Sequence, residues 1–375
     1  MLSRFARRRD PGIRGHEAAA GWLFLAPVIV ILGLFLILPI VMALWVSFSD
    51  WNGNGSPIGA HAHFVGLANY RHLLTEPGLD QNNFGTSLRN NVYYVLLVVP
   101  IQTAVSLFLA VIVNRRIRGV GFFRTAFYFP SVTSSVAITV LFLFLFSPTG
   151  VINKLLSYLG ATGPSWLYDP RGLFHVIAAQ FGVTQPSVSL QSHVFLGVSY
   201  WEWLSGPSIA MCVFIIMAVF TTSGTFMLLF LAALQSIDDS VNEAAALDGA
   251  TEWRKFRYIT APMIRPMIFT VVTLGLIGTW QIFDQIYVGT KGSPSNTTLT
   301  PAFLSFNSSF NSNEWGVGAA IAFILFAIIV FFTVVTRLAT RSPDHVPRRR
   351  RFGPTQPLGT PDASRVASAG PGSAP

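Results

Sequence analysis

The sequence predicts an all-α integral membrane protein. It has six transmembrane helices, both termini cytoplasmic, and a cytoplasmic helix–turn–helix loop between the fourth and fifth spans. Three observations predict this. The 375 residues are 51% hydrophobic and 11% charged, with a mean hydropathy of +0.53, where a soluble domain carries roughly 25% charged residues. Six apolar runs reach the roughly 20 residues that a bilayer core demands; they lie near 20–47, 90–113, 124–147, 207–234, 264–288 and 316–337. Finally, basic residues are distributed unequally between the two sides of these runs.

The basic start, 1–19, holds Arg4, Arg7, Arg8, Arg9 and Arg14. The run behind it is too long for the apolar core of a signal peptide and lacks a small-residue cleavage site, so it reads as an uncleaved span. With the N-terminus inside, twenty of the 25 Lys and Arg residues fall on the inner side. Only Arg71, Arg89, Lys154, Arg171 and Lys291 fall outside. The net charge of +9 is thus spread over four segments that flank spans. These are retention signals, and a nucleic-acid partner is excluded.

Outside lie a segment of about 50–86 and an extended one, 148–206. In the second, Phe174, Val176, Ile177 and Phe181 suggest a short amphipathic helix, and Trp201 and Trp203 suit a membrane interface. The transmembrane domain occupies 20–340. The tail, 341–375, is rich in Pro, Gly, Ser and Arg, cannot bury a core, and is expected to be disordered in the cytoplasm. Cys212 stands alone in an apolar run, so there is no disulfide framework; it reads as a small hydrophobe. His61 and His63 have no further ligand at useful spacing, so no metal site is expected.

The inner loop, 235–262, carries the densest pattern. Ser240 stands three residues before Glu243, a capping-box spacing that starts a helix running through Leu247. Gly249 suits the left-handed position that ends it. A second helix runs from Thr251 to about Ile259, and Pro262 marks the turn into the fifth span. The pattern alone leaves two readings. One is a docking element for a soluble partner. The other is an amphipathic linker on the lipid surface, with Arg254, Lys255 and Arg257 beside Trp253 and Phe256.

Within the fifth span, Trp280, Asp284 and Tyr287 are spaced i, i+4, i+7 and share a face of a continuous helix, flanked by Gln281 and Gln285. Polar groups at that depth either line a solute path or bond to another subunit's helix. Thr133, Ser134, Ser135 and Thr139 are weaker path candidates, because such hydroxyls often bond the preceding turn of their own helix. Gly275 and Gly278 read as close helix packing. No catalytic residues are expected: Asp169, Glu202 and Glu314 are scattered, and the chain lacks a G-x-x-x-x-G-K-[ST] phosphate loop. A carrier working alone would need several intramembrane ionisable groups, and Asp284 is nearly the only one.

The stretch Glu243-Ala244-Ala245, three residues, Gly249, nine residues, Ile259, one residue, Ala261-Pro262 resembles the signature of the inner-membrane permease subunits of ABC importers that use an extracytoplasmic binding protein. Ala261 stands where that family usually has Leu. Three further segments resemble the carbohydrate-type subfamily, close to maltose, trehalose and glycerol-phosphate permeases of the first-subunit kind. They are Phe64-Val65-Gly66-Leu67-Ala68-Asn69-Tyr70, Phe122-Phe123-Arg124-Thr125 with Phe129-Pro130, and Gln281-Ile282-Phe283-Asp284-Gln285-Ile286-Tyr287-Val288.

The resemblance implies a multi-pass subunit of the bacterial inner membrane. It pairs with a second permease, a dimer of ATPase subunits and a solute-binding protein, expected to be a lipoprotein. ATP and Mg are bound by the ATPases, and no cofactor is bound by this chain. Glu243, Ala244, Ala245, Asp248, Gly249, Ile259 and Pro262 are the implied docking residues. Trp280, Gln281, Asp284, Gln285 and Tyr287 are the candidate path. The implied cargo is a sugar or sugar derivative; the alternatives are a non-sugar solute such as glycerol-phosphate or an amino acid, or a stand-alone secondary carrier.

Overall fold

The computed structural model describes residues 15–59, 62–115, 118–182 and 188–339. The basic residues Arg4 to Arg14, His61, Arg116 and the tail 341–375 lie outside the described residues. Apart from a small hairpin, Val194–Phe195 paired antiparallel with Val198–Ser199, the regular structure is helical.

Five helices are long and apolar enough to cross a bilayer: Ala20–Ser47, Leu79–Asn114, Ile209–Gln235, Arg265–Gly289 and Trp315–Leu338. A sixth span is formed if Val120–Val132 and Ser135–Leu145, bent by 96° at the break between them, count as one. The break follows Pro130, which has no N–H for the helix ladder. Thr133 and Ser134 then turn extended.

The second and fourth spans form the spine. Phe84, Val98, Met211 and Phe214 fill the half of their contact near the 148–208 segment. Ala110, Met227, Phe230 and Leu234 fill the other half. The second span begins at Leu79 rather than near 90. Its 36 residues make about 54 Å of helix, against about 30 Å of hydrocarbon. The helix is several turns longer than the hydrocarbon, and its first turns serve as a post for the loops at that end. Asn90 Nδ2 donates to the carbonyls of Asn296 and Leu299 at 2.8 and 2.9 Å, and Asn82 Nδ2 donates to Gly197 at 2.6 Å.

The fifth span is also interrupted. Its helix stops at Trp280 and restarts at Asp284, with Phe283 well off helical geometry. A break frees backbone carbonyls, and in a membrane these must find partners. Two buried side chains supply them. Asn91 Nδ2 donates to the Trp280 carbonyl at 3.2 Å, and Thr300 Oγ1 to the Ile282 carbonyl at 3.1 Å.

Candidate functional site

Two places gather the residues singled out by the sequence: the 235–264 loop and the polar interior beside the two broken spans.

In the loop, Asp238 rather than Ser240 is the cap. Its carboxylate accepts the Ser240 N–H at 2.8 Å, which holds the Asp238 carboxyl below its usual range. The helix is Asp239–Leu247, so Ser240 lies inside it. At the far end the Gly249 N–H bonds the Ala246 carbonyl and the Ala250 N–H bonds the Ala245 carbonyl, at 3.1 and 3.0 Å. That crossed pair is a Schellman closure. It requires the left-handed backbone seen at Gly249, φ +69°. Among the described residues nothing lies within 4 Å of where a Cβ would sit, so it is the backbone alone that favours glycine here.

Thr251 caps the next helix, Glu252–Lys255, and a wide π turn over Phe256–Thr260 carries the chain to Ala261–Met263. Ile259 is half-buried inside that turn, and Pro262 is exposed within the last helical piece. The corner into the fifth span is Ile264, not Pro262. Ile264 leaves helical geometry and buries its side chain in the cluster of Met227, Phe230 and Val271.

Glu243, Ala244, Leu247 and Asp248 are all exposed and fall on one face of the first loop helix. Ala245 points the other way and is buried against its own chain, so it is support rather than contact surface. Leu247, which the spacing argument did not single out, is 90% exposed. A leucine at the last turn of a capped helix is the signal that could have found it.

In the interior, a cavity of about 310 Å³ is lined by Ser131, Thr133, Ser135, Thr221, Thr225 and Gln285 among others. It adjoins one of about 270 Å³ whose lining includes Gln102, Thr222, Thr279, Gln281, Asp284 and Gln285. Thr221, Thr222 and Gln285 belong to both. The breaks in the third and fifth spans therefore face one polar space. Gly224 allows it: a Cβ there would strike the Phe127 carbonyl and the Ser131 hydroxyl. Ser131 donates to the Thr221 carbonyl at 2.6 Å and accepts from the Thr225 N–H at 3.2 Å.

Thr133 and Thr139 bond the preceding turn of their own helix, at 3.0 and 2.8 Å. The buried Ser135 hydroxyl has no partner among the described residues.

The shared face proposed for Trp280, Asp284 and Tyr287 does not form, because the helix between them is broken. Gln281, Asp284 and Gln285 reach the cavities. Trp280 is 2% exposed, packed with Val95 and Val99 and stacked on Phe332 at 5.6 Å. Tyr287 lies in an aromatic cluster with Phe283 and Phe306, at 5.5 and 5.3 Å, outside both linings. Gly275 is a close-packing glycine, with the Gln102 amide against it. Gly278 is not, and opens into the cavity instead.

Gln102 was missed by sequence reasoning. It is fully buried at mid-span, its Oε1 lies 2.7 Å from the Thr222 hydroxyl, and its Nε2 has no partner among the described residues. A lone amide within a long apolar run was the available signal. The lining offers hydroxyls, amides and one carboxylate. That set can exchange hydrogen bonds with a polar solute, and it lacks a nucleophile–base pair.

Residues 102–344 match the family described as the binding-protein-dependent transport system inner membrane component. The lactose transport system permease protein LacF of Rhizobium radiobacter is 30% identical over 325 residues, 86% of this chain and 94% of the relative. The trehalose/maltose transport system permease protein MalF of Thermococcus litoralis is 28% identical over 324 residues, with the same two coverages. A crystal structure of a bacterial ABC transporter involved in import of the acidic polysaccharide alginate superposes with a TM-score of 0.65 at 19% identity, over 87% of this chain and 97% of that one; it shares the fold. With its apolar spans, its interrupted helices around a polar space and its capped loop, this chain belongs to the family of inner membrane components of binding-protein-dependent transport systems.

Proposed function

We propose that the chain is the permease subunit of an ATP-driven ABC importer and that, with a second permease, it forms the path for a sugar or sugar derivative. One observation carries the reading: a helix closed at both ends by its own residues presents Glu243, Ala244, Leu247 and Asp248 on one exposed face. A preformed helix of this kind transmits force without first paying an ordering cost. The basic bias puts this loop and both termini in the cytoplasm, where ATPase subunits bind ATP and Mg. Glu243 and Leu247 seat in an ATPase cleft. Closure of the ATPase pair moves the loop, and Ile264 passes the motion to the fifth span.

The sugar class rests on the hydroxyl and amide lining and on relatives named for lactose and for trehalose/maltose transport. Gln102, Gln281, Asp284 and Gln285 are the proposed contacts. A solute-binding protein delivers cargo to the outer loops. The first span, Ala20–Ser47, is hardly covered by its own chain and is the natural surface for the second permease.

The test is co-purification from native membrane, with wild type and Glu243→Ala side by side. Recovery of an ATPase, a second permease and a binding protein with wild type, and loss of the ATPase with the variant, is the expected result. Recovery of this chain alone, with ATP-independent transport, would overturn the proposal.

A further inference from the structure

A third cavity, of about 630 Å³, lies beneath the loop and shares no lining residue with the two interior cavities. One wall is a stripe on the second span, Ala104, Leu107, Phe108 and Val111. Their i, i+3, i+4, i+7 spacing makes a single apolar track about 10 Å long. The facing wall is Trp253 and Phe256, stacked at 6.0 Å. Phe108 is 64% and Trp253 67% exposed, so both walls of the cavity are open to the surroundings.

The rim has different chemistry. Asn114 and Arg115 end the second span there, and Lys255, Glu252 and Asn242 come from the loop. Among the described residues neither Arg115 nor Lys255 is paired with a carboxylate. With Glu252 the only acid in the lining, the rim carries one net positive charge. The second and fourth spans end beside it, at Asn114 and Gln235, and tryptophan favours the place where headgroups meet hydrocarbon.

We propose that this cavity binds one anionic glycerophospholipid, of the phosphatidylglycerol class. An acyl chain lies along the track from Val111 to Ala104, and the phosphodiester sits between Arg115 and Lys255. A single phosphodiester charge balances the rim; a zwitterionic headgroup leaves it unbalanced. A free anion makes no use of the track. Because Trp253 and Lys255 belong to the loop, the lipid fastens the loop to the membrane at a fixed depth, and the proposal holds whatever solute the interior carries.

The experiment uses the assembled transporter in nanodiscs of phosphatidylcholine doped with brominated lipid. The Trp253 signal is taken as the difference between wild type and Trp253→Phe. Brominated phosphatidylglycerol is expected to quench it at a several-fold lower mole fraction than brominated phosphatidylcholine, and the double variant Arg115→Gln, Lys255→Gln to lose that preference. Native mass spectrometry of the wild type, which needs no variant, is expected to show one retained phosphatidylglycerol. Equal quenching by both lipids, a preference surviving in the double variant, or relief of quenching by soluble glycerol phosphate would each overturn the proposal.

Discussion

The 235–264 loop and the 148–208 segment both lie outside the spans, and they are built in opposite ways. The 148–208 segment is bonded to the second span as well as to itself. Tyr93 donates to the Trp203 carbonyl, and Asn82 to Gly197. Gly172 bridges Ser208, and the Phe174 N–H bonds the Ser205 carbonyl at 3.0 Å. The hairpin tip presses on Gly85, where a Cβ would collide with the Leu196 carbonyl. Asp169 is clamped to Arg171 at 2.7 Å, which holds the Asp169 carboxyl below its usual range. The loop instead completes its hydrogen bonds within itself and leaves an apolar tip bare. A segment bonded to a span is a fixed part of the frame. One satisfied internally is free to serve another molecule.

The sharpest way to break this contrast is Gly249→Val. A β-branched residue at φ +69° costs about 1–2 kcal/mol or more, so the loop helix loses its closure. Uptake by the reconstituted complex is expected to fall about tenfold or further, since 1.4 kcal/mol is about a factor of ten in an equilibrium. Gly249→Asn, which tolerates the left-handed region, is expected to retain most transport. If both variants transport normally, the loop is not a rigid lever.

Gly85→Leu attacks the other region. Its side chain meets backbone at Leu196, so the hairpin must lift, with a destabilisation of about 1–3 kcal/mol. Thermal unfolding in detergent and proteolysis within 188–206 report it; an unchanged protease pattern would mean the hairpin is not docked as described. Leu247→Ala is milder. The residue is already exposed, so the isolated chain keeps its melting temperature. Association with the ATPase weakens by about 1–2 kcal/mol, the scale of burying a leucine, measurable by titration of purified subunits.

The smallest effect concerns pH. His72 lies 3.2 Å from Glu76 and 2.7 Å from Asp80, and its hydrogen bond to Glu76 raises its pKa above the ordinary 6.5. The stability it lends is fully present below pH 6.5 and is lost as pH rises through the raised value. Melting temperature is expected to decline slightly across that window, and His72→Gln to flatten the slope.

Much of this was legible in the sequence. The apolar runs showed the spans, and the glycine after Leu247 showed where the loop helix ends. What was not legible has physical causes. Asp238 and Ser240 both offer capping oxygens two residues apart, and only the extended backbone at Asp238 decides between them. The i, i+4, i+7 argument for Trp280, Asp284 and Tyr287 presumed an unbroken helix. The break is sustained by Asn91 and Thr300, and no local pattern announces a partner so far along the chain. Gln281, Asp284 and Gln285 cluster because they sit at the break itself.

The uncovered first span has a consequence for the life of the protein in the cell. In water an apolar rod of 28 residues would force the subunit to find a partner or precipitate. In lipid the same surface carries no such penalty, so an exposed apolar face would not by itself report the absence of the proposed second permease. What an unpaired copy lacks is close packing: among the described residues, and apart from its own helix backbone and adjacent residues, nothing lies within 4 Å of a Cβ position at Gly21 or Gly33. On the proposed assembly, a copy without its mate is a finished body carrying a loosely seated N-terminal helix.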